Sequence, residues 1–142
     1  MVNGYCSDIT RTVCLGEPAD EKYLAVWNTV LQAQEAATKG AKAGMTGDAV
    51  DKLARDIIKE AGYGDYFGHG LGHSLGLAVH ESPRFSFTYT KPVPAGAVMT
   101  IEPGIYIPGW GGVRIEDIVL VKGEGTEVLT TAPKVAMLNL DN

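Results

Sequence analysis

The stretch His69–Glu81, HGLGHSLGLAVHE, holds all three histidines of the chain, His69, His73 and His80, with Gly70, Gly72 and Gly76 threaded between them. Glycine costs roughly 1 kcal/mol relative to alanine in a helix interior, so this segment is no stable helix, and a helical H-E-x-x-H zinc site is excluded. A cluster of imidazoles on glycine-rich backbone reads either as a loop with incidental histidines or as a site that needs close backbone approach. The residues around it decide between the two.

Three other stretches carry charge where a core strand should be apolar. MTIEPGIYI (Met99–Ile107) has Glu102 in the middle of an apolar run, and GVRIEDIVLV (Gly112–Val121) has Arg114, Glu116 and Asp117 at its head. GYCSDITRT (Gly4–Thr12) has Asp8 inside a run of β-branched residues. A buried carboxylate without a partner costs several kcal/mol or takes up a proton. Any one of these groups read alone is a solvated strand end, and Glu116 read alone pairs with Arg114. Several strands with one carboxylate each suggest a shared compensating charge. Arg114 supplies one positive charge; a divalent cation supplies more, and carboxylates with imidazole suit manganese, iron, cobalt or zinc.

The rest of the chain frames these motifs. Gly4–Gly16 reads as a strand or hairpin arm. Pro18 with Asp20 and Glu21 suits a helix start and Gly44 its end, with Leu24, Trp27, Val30, Leu31 and Gln34 as the inward stripe. A second helix is expected from about Thr46, as cap, to Ala61, with Val50, Leu53, Ala54, Ile57, Ile58 and Ala61 on its apolar face and Gly62 as terminator. Strands are expected at Leu75–His80, Val98–Ile107, Gly112–Lys122 and Glu127–Thr131, with a turn-rich connector over SPRFSFTYTKPVPAGA between the first two. Two helices followed by antiparallel strands predict an α+β layer, a sheet with both helices on one face.

Composition narrows the function. At 142 residues the chain is long enough for one domain with a real core. A net charge of -5 offers no basic footprint for nucleic acid. No apolar run approaches the ~20 residues that cross a bilayer, and the first residues lack the basic-then-apolar pattern of a secretory signal. Cys6 and Cys14 lie too far apart on an extended segment to be bridged, so free thiols and a cytoplasmic location are expected.

Taken together, GYCSDITRT, HGLGHSLGLAVHE, TIEPGIY and GVRIEDIVLV resemble the pita-bread metallopeptidases, the family of methionine aminopeptidases, Xaa-Pro aminopeptidases and Xaa-Pro dipeptidases (prolidases). The matching motifs span Gly4 to Val121. The resemblance implies the C-terminal portion of that fold, with a curved antiparallel sheet. It also implies two divalent metal ions, manganese foremost with cobalt, zinc or iron as alternatives. Asp8 matches the aspartate that bridges both metals, His73 the histidine ligand, Glu102 the first glutamate and Glu116 the bridging second one. His80 matches a non-ligand histidine that contacts the substrate amide and the tetrahedral intermediate. His69 and Arg114 match residues that lie near the substrate and support the site in the Xaa-Pro branch.

The implied chemistry is hydrolysis of the bond between an N-terminal residue and a following proline in short peptides. Its nucleophile is a metal-bridged water, with Glu102 as general base. The HGLGH element and the arginine two residues before Glu116 favour the Xaa-Pro branch over methionine aminopeptidases. The family's first aspartate, eleven residues before the second, would fall ahead of Met1. Residues 1–142 are therefore expected to form one truncated catalytic domain, lacking the N-terminal half of the fold and self-associating through the uncovered edge near Gly4–Gly16. A non-catalytic peptide- or protein-binding module on the same fold is the competing reading.

Overall fold

The structure, a computed structural model, describes residues 1–18 and 20–139. Strand β1 (Cys14–Leu15) precedes helices α1 (Lys22–Gly40) and α2 (Gly47–Glu60). After a 3₁₀ turn at Gly64–Tyr66 come β2 (Gly72–Ser74), β3 (Glu81–Phe85), β4 (Val98–Ile101), β5 (Gly104–Ile107), β6 (Gly111–Arg114), β7 (Asp117–Val121), β8 (Thr126–Val128) and β9 (Met137–Leu138). Five strands form an antiparallel sheet in the order β3-β2-β4-β7-β8, while β5 and β6 make a separate hairpin. β1 and β9 pair in parallel, a contact the sequence pattern did not suggest.

Helix α1 starts where the Asp20 carboxylate accepts the Lys22 N–H at 2.8 Å. It ends at Gly40, not Gly44. Its buried stripe is Val26, Trp27, Val30, Ala33, Gln34 and Ala37. The expected stripe was therefore rotated: Leu24 and Leu31 sit half-buried at its margin. Helix α2 buries Val50, Ala54 and Ile58 as its period predicts, with Leu53 and Ile57 half-buried. Two details differ there. Ala61 is exposed, and the Thr46 hydroxyl makes no cap bond. Gly62 does end the helix, with φ +85 and the Tyr63 N–H donating to the Ile58 carbonyl at 2.9 Å. Both helices join one core with Leu71, Phe85, Met99, Ile101, Val119 and Val121 of the sheet region.

The strands depart from the sequence pattern where the charged residues lie. Val98–Ile107 is two strands, broken at Glu102 and Pro103, and Gly112–Lys122 is two strands, broken at Ile115 and Glu116. The expected strand Leu75–His80 is instead a run of bends between β2 and β3. The supposed connector begins with β3, whose Phe85 pairs with Gly72 and whose Arg84 pairs with His73. Glu127–Thr131 contributes only its first residues, to β8. Gly4–Gly16 is mostly irregular among the described residues, touching the rest through the Thr10–Glu116 bridge, the Cys6 N–H to the Gly76 carbonyl, and β1. Both cysteines are free thiols, and among the described residues no helix is long and apolar enough to cross a membrane.

Candidate metal centre

The neighbouring strands β2, β4 and β7 bring the charged residues together. His73 lies within β2, Glu102 directly follows β4, and Glu116 directly precedes β7. Asp8 reaches the same place from the irregular segment ahead of the Thr10–Glu116 bridge. One ligand atom each from Asp8, His73 and Glu116 lie within 4.8 Å of one another. Glu102 joins through the histidine, its Oε1 being 3.1 Å from His73 Nε2, and Asp8 Oδ2 is 3.8 Å from the same nitrogen. Close approach of β2 to β4 needs Gly72, where a Cβ would overlap the Thr100 carbonyl.

Hydrogen bonds orient these groups. The Thr10 hydroxyl donates to Glu116 Oε2 at 2.6 Å, and Arg114 Nε donates to that hydroxyl at 3.0 Å. Thr100 donates to Glu102 Oε1 at 3.0 Å. His73 Nδ1 lies 3.1 Å from the Ser74 carbonyl, which can only accept, so Nδ1 carries a hydrogen and Nε2 is the atom turned to the carboxylates. Glu116 Oε1 is buried and has no hydrogen-bond partner among the described residues.

The electrostatics describe a site short of positive charge. Burial pushes the Glu116 carboxyl up to about 7; the charges of Glu102 and Asp8 push the same way, against the Thr10 hydroxyl and Arg114. Burial also disfavours charged Glu102, yet hydrogen bonds from His73 and Thr100 hold it below the usual carboxylate range. For His73 burial opposes the cation, but the Glu102 hydrogen bond, the Ser74 carbonyl and the Glu102 and Asp8 charges keep it above the ordinary value. Three carboxyl groups face one imidazole and the Arg114 guanidinium, and one buried oxygen is orphaned among the described residues. An added divalent cation answers both, and an oxygen-plus-imidazole donor set fits the metals expected from the sequence.

A cavity of about 280 Å³ opens beside this cluster, lined by His69, His73, His80, Arg84, Glu102 and Arg114 among others. The His80 ring lies 4.3 Å from that of His73, centroid to centroid. His69 Nε2 is 3.0 Å from the Tyr106 hydroxyl, whose oxygen accepts from Arg114 at 3.4 Å. The structure brings the expected site residues together: Asp8, Glu102 and Glu116 gather at His73, and His69, His73, His80, Glu102 and Arg114 line the cavity.

The sequence reading missed Thr10, Tyr106 and Arg84. Thr10 and Tyr106 stand in the quoted motifs, two residues from Asp8 and four from Glu102, and their polar tips in strand-like runs were the available signal. Asp117, adjacent to Glu116, does not join the cluster. Successive strand residues point to opposite faces, and Asp117 meets Arg11 at 2.7 Å, Lys134 at 2.6 Å and Gln34 at 3.0 Å.

Comparison with known proteins bears on the family and the fold. The profile of Metallopeptidase family M24 matches residues 1–123. An Xaa-Pro dipeptidase of Pyrococcus furiosus is 53% identical over 130 residues, 92% of this chain and 37% of the relative. Among solved structures, the Xaa-Pro dipeptidase of Bacillus anthracis superposes with a TM-score of 0.92 at 52% identity, over 95% of this chain and 38% of that one. The X-Pro aminopeptidase of Thermotoga maritima gives 0.91 at 50% identity, over 96% and 38%. The chain thus spans little more than a third of the length of these relatives. Its α+β architecture is the C-terminal portion of the pita-bread fold.

Proposed function

The chain belongs to metallopeptidase family M24, and on that premise we propose that its site serves hydrolysis of the bond between an N-terminal residue and a following proline in short peptides. The observation that carries the proposal is the convergence of Asp8, His73 and Glu116 within 4.8 Å, beside a cavity walled by the remaining polar residues. Asp8, His73, Glu102 and Glu116 would hold the divalent metals, manganese foremost. When bound, such metals supply a water acidic enough to attack near neutral pH. Glu102, kept ionised by His73 and Thr100, takes the proton of the attacking water and returns it to the leaving amine. His80, exposed on the cavity wall, donates to the oxygen that gains charge as the amide is attacked. His69 and Arg114 contact the substrate from the far wall.

The test joins this chain, in place of the matching C-terminal portion, to the preceding part of the Pyrococcus furiosus dipeptidase. Loaded with manganese, the chimera is expected to release free proline from Xaa-Pro peptides and to spare Xaa-Ala analogues. His80→Ala should lower kcat by roughly 10²–10³-fold, the scale of losing one oxyanion donor. A folded, manganese-binding chimera that binds such peptides without cleaving them would instead support the peptide-binding module.

We propose that residues 1–142 are part of one catalytic domain and pair with another chain through the edge near Gly4–Gly16, in a reducing, cytoplasmic setting that suits the free thiols. Tyr5, Ile9, Leu77, Val79 and Leu129 are exposed, and a groove of about 510 Å³ runs past Tyr5, Ile9 and Leu129. Uncovered apolar surface of this kind promotes association. Light scattering at micromolar concentration is expected to show dimers or larger species; a cleanly folded 15.1 kDa monomer would rule this out.

A further inference from the structure

We infer that Asp51 and Arg55, a pair on the inner side of α2, are positioning residues for His69 and the cavity wall it forms; the inference rests on the reading of His69 as a substrate contact. Neither residue lines the cavity. Asp51 is 1% exposed, and a carboxylate so placed is tolerated only with its charge answered. Arg55, one helical turn on, answers it through Nε at 2.6 Å and a terminal nitrogen at 3.0 Å.

An acid–base pair spaced four residues apart is ordinarily a surface feature worth a few tenths of a kcal/mol. Here the pair's other bonds all leave the helix and land on one short stretch, Phe67 to Leu71. Arg55 donates to the Phe67 carbonyl at 2.9 Å and to the His69 carbonyl at 2.8 Å, and Asp51 accepts the Leu71 N–H at 2.9 Å. The guanidinium also lies over the Phe67 ring, 4.2 Å from its centroid, and the His69 ring meets Phe67 edge-on at 5.1 Å. One side-chain pair therefore fixes the backbone on both sides of His69 and the ring it leans against. The stretch needs that help, because Gly68 and Gly70 flank His69 and glycine surrenders the most backbone freedom on ordering.

The imidazole shows the result. His69 Nδ1 is 2.8 Å from the Gly70 carbonyl, which can only accept, so Nδ1 carries a hydrogen. In the neutral ring Nε2 then accepts from the Tyr106 hydroxyl at 3.0 Å. One tautomer is selected, and Gly70, which selects it, lies inside the stretch that Asp51 and Arg55 hold. His73 is secured separately, by β2 pairing with β3 and by its N–H donating to the Thr100 hydroxyl at 3.0 Å. Loss of the α2 pair should therefore loosen His69 and spare His73.

Three histidines per chain allow each ring to be resolved by ¹⁵N NMR in alkaline, metal-free buffer, where the imidazoles are neutral. The wild-type chain is expected to show His69 in the single Nδ1–H form. Arg55→Met keeps the apolar stem and should convert the His69 signals to a tautomer average while His73 keeps its Nδ1–H form. Arg55→Lys retains a charge against Asp51 but cannot span two carbonyls. It should fold cooperatively without keeping the single His69 tautomer, and it decides the matter if Arg55→Met does not fold. In the chimera, Arg55→Lys should raise KM for an Xaa-Pro dipeptide more than it lowers kcat. An unchanged His69 tautomer in folded Arg55→Lys would overturn the inference, as would parallel loss of order at His69 and His73. The tautomer readout requires neither metal nor turnover, so its failure is separable from failure of the peptidase reading.

Discussion

Replacing His73 with alanine will remove the chain's divalent-metal binding, whereas replacing His80 will leave it nearly intact. Both rings stand at the same cavity, 4.3 Å apart, so proximity alone does not separate them. Their surroundings do. His73 has Nδ1 committed to the Ser74 carbonyl and Nε2 turned to Glu102 and Asp8. This is the arrangement of a ligating histidine, whose second nitrogen is held by a backbone carbonyl or carboxylate. His80 is exposed and belongs to no group of converging donor atoms among the described residues.

Removing His73 leaves the carboxyl groups of Asp8, Glu102 and Glu116 facing one another without the imidazole between them. Losing a group that merely orients a ligand costs roughly 10–100-fold in metal affinity, so losing the ligand should cost more. Titration with manganese, followed calorimetrically, is expected to give about one weakly held ion in the wild-type chain. No measurable binding should remain in His73→Ala, whereas His80→Ala should bind nearly as the wild-type chain does, since His80 stands outside the converging donor atoms. Equal losses in the two variants would remove the distinction between ligand and auxiliary residue. Two tightly held ions in the wild-type chain would show that the donors present suffice for the whole dinuclear site.

The same local geometry explains why some of the architecture was legible in the sequence and some was not. Helix α2 was readable because Val50, Ala54 and Ile58 repeat at helical spacing and Gly62 follows. Its Asp51 was not readable as buried: an acid and a base four residues apart are ordinarily a surface pair, and here the burial depends on the Leu71 N–H arriving from outside the helix. That Asp8, Glu102 and Glu116 share a centre was suggested by carboxylates standing in strand-like runs, a cost that a shared compensating charge offsets; the family resemblance, not the pattern, singled out His73 as their partner and set Asp117 apart. The strand bounds failed at those same residues. Val98–Ile107 and Gly112–Lys122 look continuous by propensity, yet each breaks at its glutamate. There the chain leaves the ladder to aim a side chain, which period-two alternation cannot reveal. Gly4–Gly16 carries strand propensity without a strand beside most of it among the described residues. Propensity of this kind records fitness for a pleated surface and does not supply the neighbour.

The largest loss of stability is expected on the other side of the glutamate, at Asp117→Ala. Asp117 is 1% exposed and accepts from Arg11 at 2.7 Å, from Lys134 at 2.6 Å and from the Gln34 amide at 3.0 Å. Arg11 spends its other donors on the carbonyls of Thr10, Glu116, Ala132 and Pro133. A single carboxylate thus joins helix α1, the segment bearing Asp8, the head of β7 and the stretch before β9. Removing it leaves a fully buried Gln34 donor unpaired and turns two cations toward each other. Breaking a buried pair from one side costs about 3–5 kcal/mol. Arg11 and Lys134, at 16% and 23% side-chain exposure, can shift part of their charge to water, which places the loss near the lower end. Even that is a large share of the ~5–15 kcal/mol that typically holds a domain folded. Glu35→Ala, which removes only the exposed pair with Lys39, should change stability by less than about 0.5 kcal/mol and serves as the control. Urea unfolding followed by circular dichroism reads both. A loss below about 1 kcal/mol for Asp117→Ala would mean that Arg11, Lys134 and Gln34 find other partners, and that the sheet beside Glu116 is held by its apolar core alone.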